Sequence, residues 1–359
     1  MKNLPNNLRV LVTGGYGFIG GNLIQKLNEL GIKNIFNLDK VTYASSFNYL
    51  ENNNKNLVIQ NLKFDLCSKE EVRDAFRIAK PDLVFHLAAE THVDRSIESS
   101  VNFLNTNVIG TFNLLEEARI FWNKLQADKK NKFKIIHIST DEVYGDIDYG
   151  KTANEDCPYK PNSPYSATKA SSDHLMRAWN KTYKLPIIIT HCSNNYGPWQ
   201  FPDKLIPKVI NNALKNKEIP IYGKGENIRD WIFVSDHVNA LIKCATIGEI
   251  GEKYCIGSNQ EFTNLEIVDK VLSIMEIYKP SKFGYRNLLI NVDDRPGHDF
   301  RYSLDPTKIM SQLNWEPEMD LNNGLKYTIK WYMDNWDWLE EINKNVYSGK
   351  RLGNLQQKI

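Results

Sequence analysis

Cysteine is scarce and scattered in this sequence. The five residues, Cys67, Cys157, Cys192, Cys244 and Cys255, are odd in number and none pair at CxxC spacing, which speaks against a disulfide framework and offers no zinc or redox motif. Reduced, core-filling thiols are expected, and no metal site. No apolar run approaches the roughly 20 residues needed to cross a bilayer. The opening MKNLPNNLRV lacks the apolar segment of a secretory leader, so a cytoplasmic protein is expected. Charge of one sign is not in excess either: 45 Lys+Arg face 43 Asp+Glu, and their scatter leaves no footprint for a nucleic-acid backbone or an anionic membrane. Internal repeats and long low-complexity runs are also missing.

What is present is alternation. Short β-rich runs at Arg9 to Thr13, Asn34 to Leu38, Leu57 to Gln60, Leu83 to Leu87, Lys134 to Ser139 and Pro186 to His191 have the look of buried parallel strands. Between them, Asn22 to Leu30, Glu70 to Ala79, Asn102 to Phe121 and Ala167 to Tyr183 place apolar residues three and four apart, as amphipathic helices do. The pattern predicts an α/β fold with a doubly wound parallel sheet, the Rossmann arrangement, over residues 1–195. After Asn195, prolines and glycines break the chain, predicting an irregular, substrate-facing region and a smaller, mixed α/β C-terminal domain built from 196–229 and 259–359. Residues 230–258 are expected to return to the sheet as a helix and a strand. Helices are expected at Asn264 to Tyr278 and Leu321 to Trp338. Glu51 to Asn56 and Asp128 to Lys134 read as solvated loops.

Thr13-Gly14-Gly15-Tyr16-Gly17-Phe18-Ile19-Gly20 follows the first strand and opens a helix, the setting of a phosphate-binding turn. Gly14 allows the tight turn, Gly17 leaves room for a pyrophosphate, and Gly20 lets the helix pack closely on the loop. Asp39, ending the second strand, is placed to accept from a ribose diol and would repel a 2′-phosphate, so NAD is favoured over NADP; the neighbouring Lys40 softens that preference. Asp65 and Leu66 follow the third strand and can reach an adenine edge. Leu87, Ala88 and Ala89 end the fourth with small residues against which a cofactor can lie.

Tyr165 and Lys169 leave one face of a helix at i and i+4. An ammonium beside a phenol favours the phenolate, which would let Tyr165 act as a base. Ser139 and Thr140 end the preceding strand, and Asp141 and Glu142 follow at once. Two adjacent carboxyls beside a cofactor would be costly without a task, whereas capping or solvation accounts for an isolated pair.

The segments TGGYGFIG (13–20), NLDK (37–40), HLAAETHVDRSI (86–97), HISTDEVYGD (137–146), NSPYSATKASSDHL (162–175), CSNNYGP (192–198), FPDKLIP (201–207), PIYGKGENIRDW (220–231) and DRPGHDFRY (294–302) together resemble the extended short-chain dehydrogenase/reductases. Within that group they resemble the dTDP-glucose 4,6-dehydratase family. The resemblance implies that Tyr165, aided by Lys169 and Thr140, takes the proton of the sugar 4-hydroxyl while hydride leaves C4 for NAD. Glu142 would then abstract the C5 proton, Asp141 would protonate the departing 6-hydroxyl, and hydride would return to C6, giving a 4-keto-6-deoxy sugar of deoxysugar biosynthesis. β-Elimination next to a carbonyl, served by two carboxyls of separated pKa, agrees with that cycle.

The same resemblance assigns Phe18, Ile19, Thr106, Ser139 and Asn194 to the cofactor. It assigns Thr91, Asn194, Asn195, Lys204, Leu205, Tyr222, Arg229, Asn264, Arg295 and His298 to a nucleotide-diphosphate sugar, in the first place dTDP-glucose, with the two arginines suited to bidentate diphosphate contact and Tyr222 to stacking under a pyrimidine. The helices Asn102 to Phe121 and Ala167 to Tyr183 resemble the pair that forms an intersubunit four-helix bundle, so a homodimer is expected, although Leu175, Met176 and Trp179 could equally be core. Tyr16 stands where relatives commonly have alanine and His191 where they often have Asn or Arg. On the residues alone, a 4-epimerase or dehydratase acting on a UDP- or CDP-hexose stays open, as does a non-catalytic NAD-binding regulator.

Overall fold

The computed structural model describes residues 4–45 and 59–345. Its strands are β1 (Arg9–Thr13), β2 (Asn34–Leu38), β3 (Ile59–Leu62), β4 (Leu83–His86), β5 (Lys134–Thr140), β6 (Ile187–Cys192), β7 (Asn194–Tyr196), β8 (Ile219–Tyr222), β9 (Ile228–Phe233), β10 (Lys253–Ile256), β11 (Glu261–Thr263) and β12 (Leu289–Val292). Seven of them form one sheet in the order β10-β6-β5-β4-β1-β2-β3, and every pairing in it is parallel. β4 and β6 are buried along their whole length, as strands covered on both faces must be. This is the doubly wound sheet that the alternation predicts, with β10 pairing to β6 at its edge.

The longer helices are α1 (Phe18–Glu29), α2 (Lys69–Ala79), α3 (Thr111–Asn123), α4 (Pro164–Tyr183), α5 (Leu205–Leu214), α6 (Val234–Ile247), α7 (Asn264–Tyr278), α8 (Leu321–Asp334) and α9 (Trp336–Asn345). One face of the sheet is covered by α1 and α6 through Leu23, Ile24, Leu27, Val238 and Leu241. The other is covered by α2, α3 and α4 through Val72, Phe76, Leu114, Leu115 and Met176. Each fully buried Leu or Ile contributes about 1.5–3 kcal/mol, so truncating Leu27 or Leu114 would be felt across the sheet. A third core joins α5, α7 and α8 to β8 and β9.

Several elements differ from expectation for physical reasons. Of Leu57 to Gln60, the first two residues lie outside the described part, and the strand runs on to Leu62; the polar Glu51 to Asn56 lies outside it entirely. Asp128 to Lys134 is no loop. Ala127–Lys132 is a short exposed helix with Asp128 in its first turn and lysines in its last, charges that complement its dipole. Asn102 to Phe121 is not one regular helix: Ser100–Phe103 passes into wide π turns over Leu104–Gly110 before α3. The helix foreseen over Leu321 to Trp338 breaks at Asn335. The stretch after Asn195 is more regular than foreseen, since α5, β8 and β9 lie in it. Tyr16 is 5% exposed and packs into the core beside α1.

Candidate active site

The order of the sheet reverses between β4 and β1, and at such a switch point the carboxyl ends of the strands open a crevice. A cavity of about 490 Å³ lies there, and every residue named above for cofactor or substrate borders it. Its floor is the glycine loop. Gly14 has φ +73°, and a Cβ there would lie 2.8 Å from the backbone of Ala88. A Cβ on Gly20 would collide with the Gly14 carbonyl at 2.2 Å, whereas one on Gly17 would meet nothing nearer than 3.2 Å. Gly17 caps α1 without any side-chain hydrogen bond, so the first N–H groups of that helix are left for an anion. This cradle fits a dinucleotide.

Around it, Asp39 is 8% exposed and accepts from the N–H of Tyr16 (3.0 Å) and of Val41 (2.8 Å). Val41 takes a φ of 61°, unusual for a β-branched residue and sustained by that second bond. The Lys40 ammonium donates to Thr106 at 3.1 Å and lies 3.7 Å from Glu90. Thr13, at the end of β1, accepts from the Ala88 N–H at 3.1 Å, which holds Leu87 to Ala89 along the cavity wall. Asp65 accepts from Cys67 in the turn that leads to α2.

The acid/base groups converge from two elements. Thr140 closes β5 and caps a single turn over Asp141–Tyr144 by accepting from the Glu142 N–H. α4 starts at a reciprocal Ser163–Ser166 capping box with Pro164 in its first turn, which is why a helix begins here. Its first turn carries Tyr165, whose N–H donates to Ser96 at 3.2 Å. One turn on, the Lys169 ammonium donates to the Ile138 carbonyl at 2.8 Å.

Electrostatics separates the two carboxyls. Burial, with the neighbouring Glu142 second, pushes Asp141 up to about 8, so at neutral pH it holds a proton to give. Glu142 is also raised by burial, but Arg295, Arg229 and Lys204 act to lower it. Oδ2 of Asp141 and Oε2 of Glu142 are buried with no hydrogen-bond partner among the described residues, so each can serve a ligand. The phenolate expected from the Tyr165–Lys169 pair is not the state of this site: burial first and Glu142 second push the phenol well above its ordinary value, and a hydrogen bond with Thr140 opposes them only in part.

On the nucleotide side one expectation is corrected. Arg229 is 4% exposed, stacks over Tyr302 at 4.2 Å, and spends its guanidinium on the carbonyls of Ile228, Asp299 and Phe300. As placed, its fork is largely consumed, so it is not free for bidentate contact. Arg295 is different: its Nη1 reaches Asp94 at 3.3 Å and its Nε is buried with no partner among the described residues. Tyr222 donates to the other oxygen of Asp94 at 2.8 Å, and the His298 ring meets Tyr222 edge-on at 6.4 Å. Burial, with Arg295 next, lowers His298 to about 4, so the ring is neutral. Lys204 donates to the Thr91 carbonyl at 3.3 Å. Leu205, Asn194, Asn195 and Asn264 complete this side, with Asn195 holding His237 at 2.9 Å.

Sequence reasoning missed several lining residues. Asp94 lay inside the quoted HLAAETHVDRSI segment, but only the fold brings it to Tyr222 and Arg295. Tyr43, under the Arg95 guanidinium at 3.7 Å, and Asp203, 3.7 Å from His92, carried no separate signal.

Residues 11–328 match the family model described as GDP-mannose 4,6 dehydratase. The chain is 48% identical over 335 residues to the dTDP-glucose 4,6-dehydratase of Haemophilus influenzae, covering 91% of this chain and 98% of that protein. To that of Neisseria meningitidis serogroup B it is 46% identical over 352 residues, covering 96% and 99%. Among solved structures, DesIV, the dTDP-glucose 4,6-dehydratase of Streptomyces venezuelae determined with NAD bound, superposes with a TM-score of 0.85 at 37% identity, covering 93% of this chain and all of that one. A doubly wound sheet, a dinucleotide cradle and two adjacent carboxyls at the end of β5 thus coincide with near full-length similarity, and the chain belongs to the dTDP-glucose 4,6-dehydratases, within the GDP-mannose 4,6 dehydratase family.

Proposed function

We propose that this chain converts dTDP-glucose to dTDP-4-keto-6-deoxyglucose, with NAD as its resident cofactor. The observation that carries the reading is the pair at the end of β5: the buried Asp141 and the half-buried Glu142, adjacent in the cavity that also holds Tyr165, the first of them kept protonated near neutral pH. An enzyme that only epimerised would have no use for that pair.

The glycine cradle, Asp39 and the Leu87 to Ala89 wall would hold NAD, which when bound would supply the redox chemistry, accepting hydride from C4 and returning it to C6. The chain's own residues handle the protons. Tyr165 receives the proton of the 4-hydroxyl, with Thr140 acting to lower the phenol's proton affinity and Lys169 one turn away on the same helix; the fixed positive charge of a bound nicotinamide ring would favour the phenolate that burial disfavours. Glu142, exposed to three cationic side chains, is the group able to lose a proton and so to take one from C5. Asp141 gives its proton to the departing 6-hydroxyl.

In this reading 1–195 with 230–258 holds the cofactor and 196–229 with 259–359 the nucleotide, although the two boundaries at 195/196 and 229/230 fall inside β7 and β9. Arg295 and Lys204 meet the diphosphate, and Tyr222 the pyrimidine. A homodimer is supported by Val101, Leu104, Ile109, Phe112 and Tyr183, large apolar side chains exposed on the paired helices as an unpartnered bundle face would be. No described helix is long and apolar enough to cross a membrane, and a reaction fed by nucleotide sugar and NAD belongs in the cytoplasm. Incubation with dTDP-, UDP- and CDP-glucose separately, followed by mass measurement, tests the reading: loss of one water from dTDP-glucose supports it, and a 4-epimer lacking absorbance at alkaline pH overturns it.

A further inference from the structure

Behind the acid/base groups lies a buried ionic cluster that the proposed chemistry leaves unused. Asp173 sits on α4 one turn after Lys169 and is 1% exposed. Its carboxylate accepts from the Ser139 hydroxyl at 2.8 Å, pairs with His137 Nε2 at 3.0 Å, and lies 3.1 Å from His191 Nε2. The Tyr159 hydroxyl lies 2.8 Å from the same His191 nitrogen, and Tyr144 lies 3.3 Å from the other, with the Cys255 sulfur 3.6 Å beyond. Burial works against the charge of Asp173, yet the hydrogen bonds of His137 and His191 prevail and hold the carboxyl well below its ordinary range.

The geometry relates this cluster to Lys169. Asp173 grips His137 and Ser139 of β5, while Lys169 donates to the carbonyl of Ile138 between them. Helix α4 thus holds three consecutive residues of one strand, an anion on the outer two and a cation on the middle one. An ammonium this deeply buried either finds a counter-charge or gives up its proton. The groups that bear on Lys169 are Tyr165 of its own helix, Cys192 of β6, and the imidazoles of His86 and His137. Burial keeps the phenol neutral and pushes the Cys192 thiol up to about 12. It lowers both imidazoles, His137 to about 4. Burial lowers Lys169 as well, and Asp173 heads the groups that oppose that shift.

We propose that Asp173 is a positioning residue for catalysis: it is the counter-charge that keeps the Lys169 ammonium intact in the interior, and Ser139, His137 and His191 are there to keep that carboxylate ionised. The inference rests on the roles given to Tyr165 and Lys169 above. Asp173→Asn keeps the shape and much of the hydrogen bonding but deletes the charge. In an enzyme whose parent form dehydrates dTDP-glucose, removing one buried negative charge lowers the proton affinity of Lys169 and Tyr165 together. Both limbs of the pH profile of kcat then move to lower pH, by about one unit, with the KM for dTDP-glucose little changed. A profile that keeps its position and merely scales down would make Asp173 a structural hub and overturn the proposal.

A second measurement needs neither substrate nor cofactor, so it fails or succeeds independently of the functional reading. Thermal unfolding is compared for the parent, Lys169→Met, Asp173→Asn and the double variant. Deleting the ammonium should raise Tm by more in the Asp173→Asn background than in the parent, and it should recover a folded protein if Asp173→Asn alone does not fold. Equal gains in the two backgrounds, or a double variant no better folded than the single one, would overturn it.

Discussion

The Thr140 hydroxyl donates to Oδ1 of Asp141 at 3.1 Å, and Oδ2 of the same carboxyl is buried with no partner among the described residues. One oxygen is thus oriented from within the turn while the other keeps its hydrogen-bonding capacity for a bound substrate.

That arrangement has a pH signature. Unfolded, Asp141 titrates near its ordinary 3.8; folded, near about 8. Between those values the native state binds a proton that the unfolded chain does not, so stability falls as pH rises through this window. Asp141→Asn removes the effect. Its stabilising gain should be close to nil at about pH 4, grow to the order of a few kcal/mol by about pH 8, and stay level above. Denaturant unfolding across that range reads it, and a gain independent of pH would contradict the burial of the charged form.

Glu142→Gln should leave oxidation at C4 partly intact and slow elimination by about 10²–10⁴-fold, the usual worth of a positioned base. In a single turnover the variant should hold NADH absorbance that the parent discharges. Unaltered overall activity would remove Glu142 from the C5 step.

In the glycine cradle, Gly17→Ala should still fold, with a smaller loss of stability than Gly20→Ala, because its Cβ meets only the Gly14 carbonyl, at a tight 3.2 Å that a small shift of the loop would relieve. The methyl would project toward the cofactor phosphates, and NAD affinity should fall by about tenfold or more, equivalent to about 1.4 kcal/mol. Calorimetric titration with NAD measures this. Gly20→Ala, with a contact of 2.2 Å to backbone, should disturb the loop itself and lower Tm as well.

Arg295→Ala should raise the KM for the nucleotide sugar by about 10–100-fold, since charge-assisted hydrogen bonds contribute about 1.5–3 kcal/mol, while kcat changes far less. Arg229→Ala should instead lower Tm, because its guanidinium is committed to three backbone carbonyls. Comparing KM and Tm for the two variants decides whether the arginines divide their tasks in this way.

His191→Leu should cost about 2–4 kcal/mol of stability, as it strips the hydroxyls of Tyr144 and Tyr159 and the Asp173 carboxylate of a buried partner at one stroke. Denaturant unfolding checks the magnitude.

Much of this was legible in the residues because the signals are local. A glycine loop between strand and helix, Asp39 at a strand end, and Tyr165 with Lys169 at i and i+4 depend on spacing alone. What stayed hidden depends on partners distant in sequence. The π turns over Leu104–Gly110 hold Asn107 against the Glu90 backbone and Thr168, contacts that no periodicity announces. Nothing in NIRDW betrays that Arg229 turns back onto the carbonyls of 299 and 300, and Asp94 acquires meaning only when Tyr222 and Arg295 arrive from the far half. The short helix at Ala127–Lys132 was hidden differently: after Ala127 its residues are all polar, so charge placement and not an apolar face marks it.

Residues 187–196 run almost without pause from β6, in the large sheet, into β7, in the three-stranded one. Anyone recombining this enzyme with a relative to exchange nucleotide preference meets that shared stretch as an indivisible unit: a join placed within it would cut the passage from one sheet to the other, while one placed after Tyr196 keeps β6 and β7 whole. Natural recombinants of such genes should carry their breakpoints accordingly.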